Sequence, residues 1–248
     1  MTLFEKNESD CLEVQNLVKS YGGRRVVDGL SFKVRSGEIV GLLGSNGAGK
    51  TTAFYMTVGL IAPDEGQVIF QKKDVTRLPM HERARMGMGY LAQEPSVFRS
   101  LTVEENILCI LESLSLSKQK MEEYLDELLG ELNLKHLAKK KAAALSGGER
   151  RRVEITRALV TKPSFLMLDE PFANIDPLSV QDVKLLIRHL ASKNISILIT
   201  DHNAREIFSV VDTCYLVQEG KVVFNGDVES LLNNETAQRT YLGSDFKM

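Results

Sequence analysis

The sequence predicts an α/β fold: a mixed core built around a phosphate-binding loop, with an antiparallel β-subdomain and an inserted helical subdomain. Three observations predict it. Ile39–Leu43 is a short apolar run that stops at Gly44, as expected of a strand buried on both faces. Residues 165–168 and 195–199 have the same character, and the stretch between them, 178–191, has helical spacing. From about 101 to 160 the pattern turns helical, which places an insert between two buried strands.

Taken in order, residues 12–19 and 30–34 alternate apolar and polar side chains, and 68–70 continues that character, so all three read as half-buried antiparallel strands. A helix over 50–60 follows the loop after Gly44. Thr102 with Glu105 three residues on forms a capping-box pattern. Residues 121–134 and 147–159 read as further helices. Pro177 suits a first helical turn, and strand, helix, strand implies a right-handed parallel crossover. Residues 214–217 and 221–224 flank Glu219-Gly220, a hairpin signal. The tail, 226–248, reads as helical and polar. The expected organisation is one domain over 1–248: about 1–93 and 161–225 form the nucleotide-binding core with its β-subdomain, about 94–160 the helical subdomain, and 226–248 the tail.

Composition narrows the function classes. The 31 basic and 33 acidic residues nearly cancel, which argues against a nucleic-acid stripe. Cys11, Cys109 and Cys214 are scattered and form no CxxC pair, so reduced thiols in a cytoplasmic protein are expected. No apolar run approaches the about 20 residues that cross a bilayer. The start, MTLFEKNESD, lacks the basic flank and apolar stretch of a signal peptide. Membrane contact is therefore expected only through partners.

The chemistry concentrates in three places. Gly44-Ser45-Asn46-Gly47-Ala48-Gly49-Lys50-Thr51 fits GxxxxGK[ST] between a buried strand and a helix, and Thr52 follows it. Glycines there let successive N–H groups face phosphates, and the helix N-terminus adds positive partial charge. Lys50 is predicted to reach the β and γ phosphates of ATP, and the Thr51 hydroxyl to ligate Mg2+. Asp169 and Glu170 end a buried strand at its C-terminal edge, where such sheets bind ligands. Asp169 is expected to hold Mg2+ and Glu170 to polarise the attacking water; a capping Asp-Glu pair before Pro171 is the plainer alternative. Leu145-Ser146-Gly147-Gly148-Glu149 is either a simple N-cap or a second anion site.

That last segment resembles the LSGGQ motif of the ABC ATPase family, with Glu149 in place of Gln. The resemblance implies a RecA-like mixed core and a head-to-tail homodimer, in which ATP on one phosphate loop is clamped by Ser146 and Gly148 of the other copy. Other motifs follow in the family's order. Gln93 looks like the Q-loop glutamine that contacts Mg2+ and water, and Asn174-Ile175-Asp176 occupies the D-loop. His202 looks like the switch histidine, a catalytic partner of Glu170, and Tyr21 like the aromatic that stacks on adenine. Ser45, Ala92 and Asn174 replace a frequent Pro, Pro and Gly.

Within the family, Phe54-Tyr55-Met56, Glu94 to Arg99, and Thr200-Asp201-His202-Asn203 are similar to the ATPases of lipopolysaccharide export. Tyr241-Leu242-Gly243 is shared with branched-chain amino acid ATPases. The resemblance implies membrane subunits of the LptF and LptG type with LptC alongside, and a location on the cytoplasmic face of the inner membrane. Phe98, Arg99 and Leu101 match the groove for those subunits; packing of Phe98 into the helical subdomain is the alternative. Competing readings are a branched-chain amino acid importer, a soluble ABC protein acting on nucleic acid, and a regulatory module without fast turnover.

Overall fold

The computed structural model describes residues 10–242. The reading of the N-terminal decapeptide falls almost wholly outside that range, and so does Gly243 of the Tyr241-Leu242-Gly243 segment. The elements, in chain order, are β1 (Asp10–Tyr21), β2 (Arg24–Arg35), β3 (Ile39–Leu43), α1 (Lys50–Val58), β4 (Glu65–Phe70), β5 (Lys73–Asp74), α2 (Met80–Arg85) and β6 (Met88–Leu91). There follow α3 (Val103–Leu111), α4 (Lys118–Glu131), α5 (Gly147–Leu159), β7 (Phe165–Asp169), α6 (Pro177–Ser192) and β8 (Ser196–Thr200). The chain closes with α7 (Ala204–Phe208), β9 (Thr213–Gln218), β10 (Lys221–Gly226), α8 (Val228–Leu232) and α9 (Glu235–Ala237), then a last helical turn, Gln238–Leu242.

Two sheets share one core. The six-stranded sheet runs β10-β9-β3-β8-β7-β6, parallel except for the β9–β10 hairpin. The antiparallel sheet runs β2-β1-β4-β5. Side-chain alternation divides the six-stranded sheet between two apolar layers. Val40, Leu42, Phe165, Met167 and Leu198 face α1 and the antiparallel sheet, while Leu166, Leu168, Ile197 and Ile199 face α3, α5 and α6. Strands β3, β7 and β8 are buried along their whole length, which is why they read as unbroken apolar runs.

Helix ends explain where boundaries differ from the pattern. Helix α1 stops at Val58, short of residue 60, because Gly59 adopts φ 88° and ends it. Arg83 of α2, 1% exposed, then caps that end, donating to the carbonyls of Met56 at 2.9 Å and Thr57 at 2.6 Å. Helix α4 begins three residues earlier than its apolar pattern, because Ser117 accepts from the Lys120 N–H. Thr102 and Glu105 form a reciprocal capping box at α3. The tail is helical through residue 242 but not simply polar: Leu231 and Ala237 are fully buried in the helix-side core.

Candidate functional site

The C-terminal ends of β3, β7 and β8 set the site. Beyond β3, Gly44 adopts φ 148° and Gly49 φ 102°; a Cβ on Gly44 would meet the Val217 carbonyl at 2.3 Å, and one on Gly49 the Val26 carbonyl at 2.5 Å. Only glycine fits both positions, so the loop's shape follows from its sequence. Helix α1 therefore starts with Gly49 as N-cap and no side-chain cap, leaving its first N–H groups open toward the loop. Lys50 donates to the carbonyls of Gly44 at 2.7 Å and Ser45 at 2.9 Å, and burial pushes its ammonium below the usual value, partly offset by Glu170. Asn46, Gly47, Lys50, Thr51, Glu170 and Thr200 are among the residues that line a cleft of 150 Å³ here, along with Ala48, Gly49 and Thr52.

Beyond β7, Asp169 is 2% exposed. Its Oδ1 accepts from the Thr200 hydroxyl at 2.8 Å, while Oδ2 is buried without a partner. Burial pushes the Asp169 carboxyl up, against the Thr200 hydrogen bond and Arg151. Glu170 follows at φ 45°, a left-handed conformation costly for a non-glycine residue and typical of functional sites. The strained backbone is held by Glu170 N–H donating to the Thr200 carbonyl at 2.8 Å. Its side chain is a hub: Gln93 Nε2 donates to Oε2 at 2.8 Å, and His202 Nδ1 lies 3.3 Å from the same oxygen. The structure thus brings Gln93, Glu170 and His202 to one point, beside the loop that holds Lys50 and Thr51. A neighbouring cleft is lined by Gln93, Glu170, Asn174 and His202, among others.

Ser146 and Gly148 line neither cleft. Ser146 caps α5, accepting from Glu149 N–H at 3.2 Å, while Glu149 Oε2 accepts from Ser146 N–H at 2.8 Å. A Cβ on Gly148 would meet Ser179 Oγ at 2.3 Å, so this glycine lets α5 approach the start of α6. Asn174 adopts φ 59°, which explains how Asn stands where Gly is frequent: Asn tolerates the left-handed region better than most residues. Tyr21, 49% exposed, ends β1 directly opposite Arg24 across the Gly22-Gly23 turn, close in sequence to Val26 of the phosphate cleft.

The stretch after Gln93 is pinned rather than loose. Val97 is buried, while Phe98 is 50% exposed with the Arg157 guanidinium 4.9 Å over its ring. Arg99 is exposed and Leu101 half-buried. Two residues given no role from the sequence, Asn106 and Arg151, organise this region, and a third, Thr200, enters that reading only as part of Thr200-Asp201-His202-Asn203. Asn106, fully buried on α3, accepts from Phe98 N–H at 2.8 Å and donates to the Phe98 carbonyl at 3.1 Å. Arg151 donates to the carbonyls of Ala92, Asp169 and Glu170 at 3.1, 3.2 and 3.1 Å, and pairs with Glu154 at 3.0 Å. Thr200 holds Asp169. The signal for each was a polar residue at an apolar position of its helix or strand.

Comparison with known proteins identifies the family. Residues 27–173 match the family model described as ABC transporter. The lipopolysaccharide export system ATP-binding protein LptB of Acidithiobacillus ferridurans is 51% identical over 97% of this chain and 100% of its own length. LptB of Escherichia coli strain K12 is 49% identical over 96% of this chain and 99% of its own. A crystal structure of the ADP conformation of an ATP-binding cassette of an ABC transporter superposes with a TM-score of 0.85 at 30% identity, covering 95% of this chain and 100% of that one. With a phosphate loop, a carboxylate hub and full-length relatives of one kind, the chain belongs to the ABC transporter family, as an ATP-binding subunit that hydrolyses ATP.

Proposed function

We propose that two copies of this chain, joined head to tail, use ATP hydrolysis to drive lipopolysaccharide extraction from the inner membrane through membrane subunits of the LptF and LptG type, with LptC alongside. The observation that carries the catalytic part is the Glu170 hub, where one carboxylate oxygen meets both Gln93 and His202. The cargo rests on full-length similarity to proteins of the lipopolysaccharide export system. No helix among the described residues is long and apolar enough to cross a membrane. By similarity to the lipopolysaccharide export ATPases, the chain works at the cytoplasmic face of the inner membrane through its partners.

Glu170 orients water for in-line attack on the γ phosphate, and His202 and Gln93 fix its carboxylate. Lys50 leaves the Gly44 and Ser45 carbonyls to reach the β and γ phosphates, and the open first turn of α1 adds its N–H groups. Tyr21 stacks on adenine. Thr51, Gln93 and Asp169 suit Mg2+, and the unpartnered Oδ2 of Asp169 is the oxygen that fits it. Bound there, Mg2+ would neutralise charge on the β and γ phosphates. Ser146 and Gly148 of one copy close over the γ phosphate of the other, so hydrolysis removes the bridge between the copies. Phe98, Arg99 and Leu101 receive the membrane subunits.

The test is Glu170→Gln. It should bind ATP, accumulate as an ATP-held dimer on gel filtration, and lose turnover by about 100-fold or more. Wild-type turnover would sink the assignment of Glu170. Identifying the membrane proteins that copurify with the chain tests the cargo, and an amino-acid permease would overturn it.

A further inference from the structure

One hydroxyl and one bare oxygen at the head of the six-stranded sheet belong together. Asp169 and Thr200 are direct partners across the parallel pair β7–β8, so their side chains leave the same face of the sheet. Both are buried, at 2% and 3% exposed. Strand β8 is apolar from Ile197 to Ile199, and Thr200 is where a hydroxyl follows that run. The hydroxyl donates to Asp169 Oδ1 at 2.8 Å, and Oδ2 of the same carboxylate is buried without a partner. Buried polar atoms are almost always paired, and a bound ion is one of the few things that explains an exception.

Thr200 serves the neighbouring carboxylate as well. Its carbonyl accepts from Glu170 N–H at 2.8 Å. It also lines the phosphate cleft with Lys50, Thr51 and Glu170. The side chain and main chain of one residue therefore support two adjacent acidic residues beside the phosphate loop. The terminal torsion of an aspartate is soft, so a carboxylate without an anchor has no fixed orientation. A threonine hydroxyl is a good anchor, because branching at Cβ leaves its own side chain few rotamers. With Oδ1 held, the position of Oδ2 is set before any cation arrives. Metal-binding carboxylates are commonly held by such outer hydrogen bonds.

We propose that Thr200 is a positioning residue of the ATPase site: its hydroxyl fixes Asp169 so that the free carboxylate oxygen is already aligned for the Mg2+ that accompanies ATP. The inference rests on the reading of Asp169 as the carboxylate that suits Mg2+. It gives the last residue of β8 a part in selecting metal-bound nucleotide, separate from that of His202 two residues on.

Thr200→Val keeps the branched shape and removes only the hydroxyl. Titration calorimetry of the full chain with the β,γ-imido analogue of ATP reads the hydroxyl's part directly. With Mg2+ present the affinity should fall about tenfold, the scale of a lost outer hydrogen bond at a metal ligand. With the metal chelated it should stay within about twofold of the wild type, because the phosphate loop is untouched. Turnover should need about tenfold more Mg2+ for its half-maximal rate. Thr200→Ser keeps a hydroxyl and should bring both values back to within about threefold. Unchanged affinity with Mg2+ overturns the proposal. An equal loss with and without metal, or no recovery in Thr200→Ser, also overturns it, since a packing role predicts those results. In an Asp169→Asn background, Thr200→Val should cost less than about twofold more; a full second loss, as for independent sites, overturns the pairing. Asp169→Asn measured alone separates the two readings. Intact Mg2+-dependent affinity there sinks the assignment of Asp169, whereas its loss with Thr200→Val unaffected sinks only the part of Thr200.

Discussion

Helices α1 and α5 both begin in glycine-rich turns, yet their first turns are finished in opposite ways. At α1 the N-cap is Gly49, no side chain caps it, and Lys50 sits on loop carbonyls that a phosphate can displace. At α5 a reciprocal capping box satisfies Ser146 and Glu149, and Lys140 lies 3.3 Å from the Glu149 carboxylate. An uncapped helix start is an anion site by itself. A capped one with a carboxylate in its first turn is not, and it binds an anion only when geometry delivers one. In the proposed head-to-tail dimer the two motifs would divide the labour: α1 would capture nucleotide, and α5 would read whether nucleotide has been captured by another copy.

The largest test of that division is Lys50→Ala. It removes the charge that the open helix start works with, and should cut turnover about 100-fold or more while leaving α5 untouched. ATP-driven dimerisation should disappear with it. A dimer that still forms with ATP would mean that α5 captures nucleotide unaided.

The second test turns on Asp169. Its carboxyl is held above the usual range by burial, opposed by Thr200 and Arg151. A raised carboxyl pKa means the folded state pays for the charge: the penalty is absent below the ordinary carboxylate range, grows as pH rises through the raised value, and is complete above it. Asp169→Asn should therefore abolish turnover yet raise stability at neutral pH by about 1 kcal/mol, a gain that vanishes in acid. Urea midpoints at neutral and acid pH measure it. A loss of stability at neutral pH would show that the orphaned oxygen is not the cost it looks to be.

The contrast also shows what a sequence reveals. The phosphate loop and the Asp169-Glu170 pair are legible because their chemistry is local: an apolar strand, a break, and polar groups within a few residues. Two wholly buried strands and the helix between them were legible for the same reason. Arg151 and Asn106 were not, because each acts on atoms far along the chain, and periodicity records only that a position faces inward. Asn174 sits between these cases. As a letter it is a departure from Gly, while its φ of 59° shows a backbone demand that Asn also meets.

Helix α3 offers an internal control, since Thr102 and Glu105 build the same capping box as Ser146 and Glu149. Thr102→Ala should cost about 1 kcal/mol of stability with turnover of the isolated chain unchanged. Ser146→Ala should cost the same and also weaken the ATP-held dimer. Equal behaviour of the two variants in dimerisation would reduce the α5 box to a cap.

The finest test is Glu149→Gln. Burial alone pushes the Glu149 carboxyl up, but the Ser146 N–H and Lys140 outweigh it and hold it below the usual range, so it is charged at neutral pH. That charge lies in the first turn of α5, where the proposed dimer brings the other copy's γ phosphate. Glutamine keeps an acceptor for Ser146 N–H and removes the repulsion, at the cost of a favourable charge at a helix start, about 0.3–1 kcal/mol. Made in the Glu170→Gln background, where ATP holds the dimer, the change should tighten dimerisation about two- to fivefold at low salt, and the gain should shrink as salt screens it. Sedimentation at two ionic strengths measures both. A dimer weakened equally at both would mean that Glu149 contributes only its hydrogen bond, and that α5 meets the other copy somewhere other than at the phosphate.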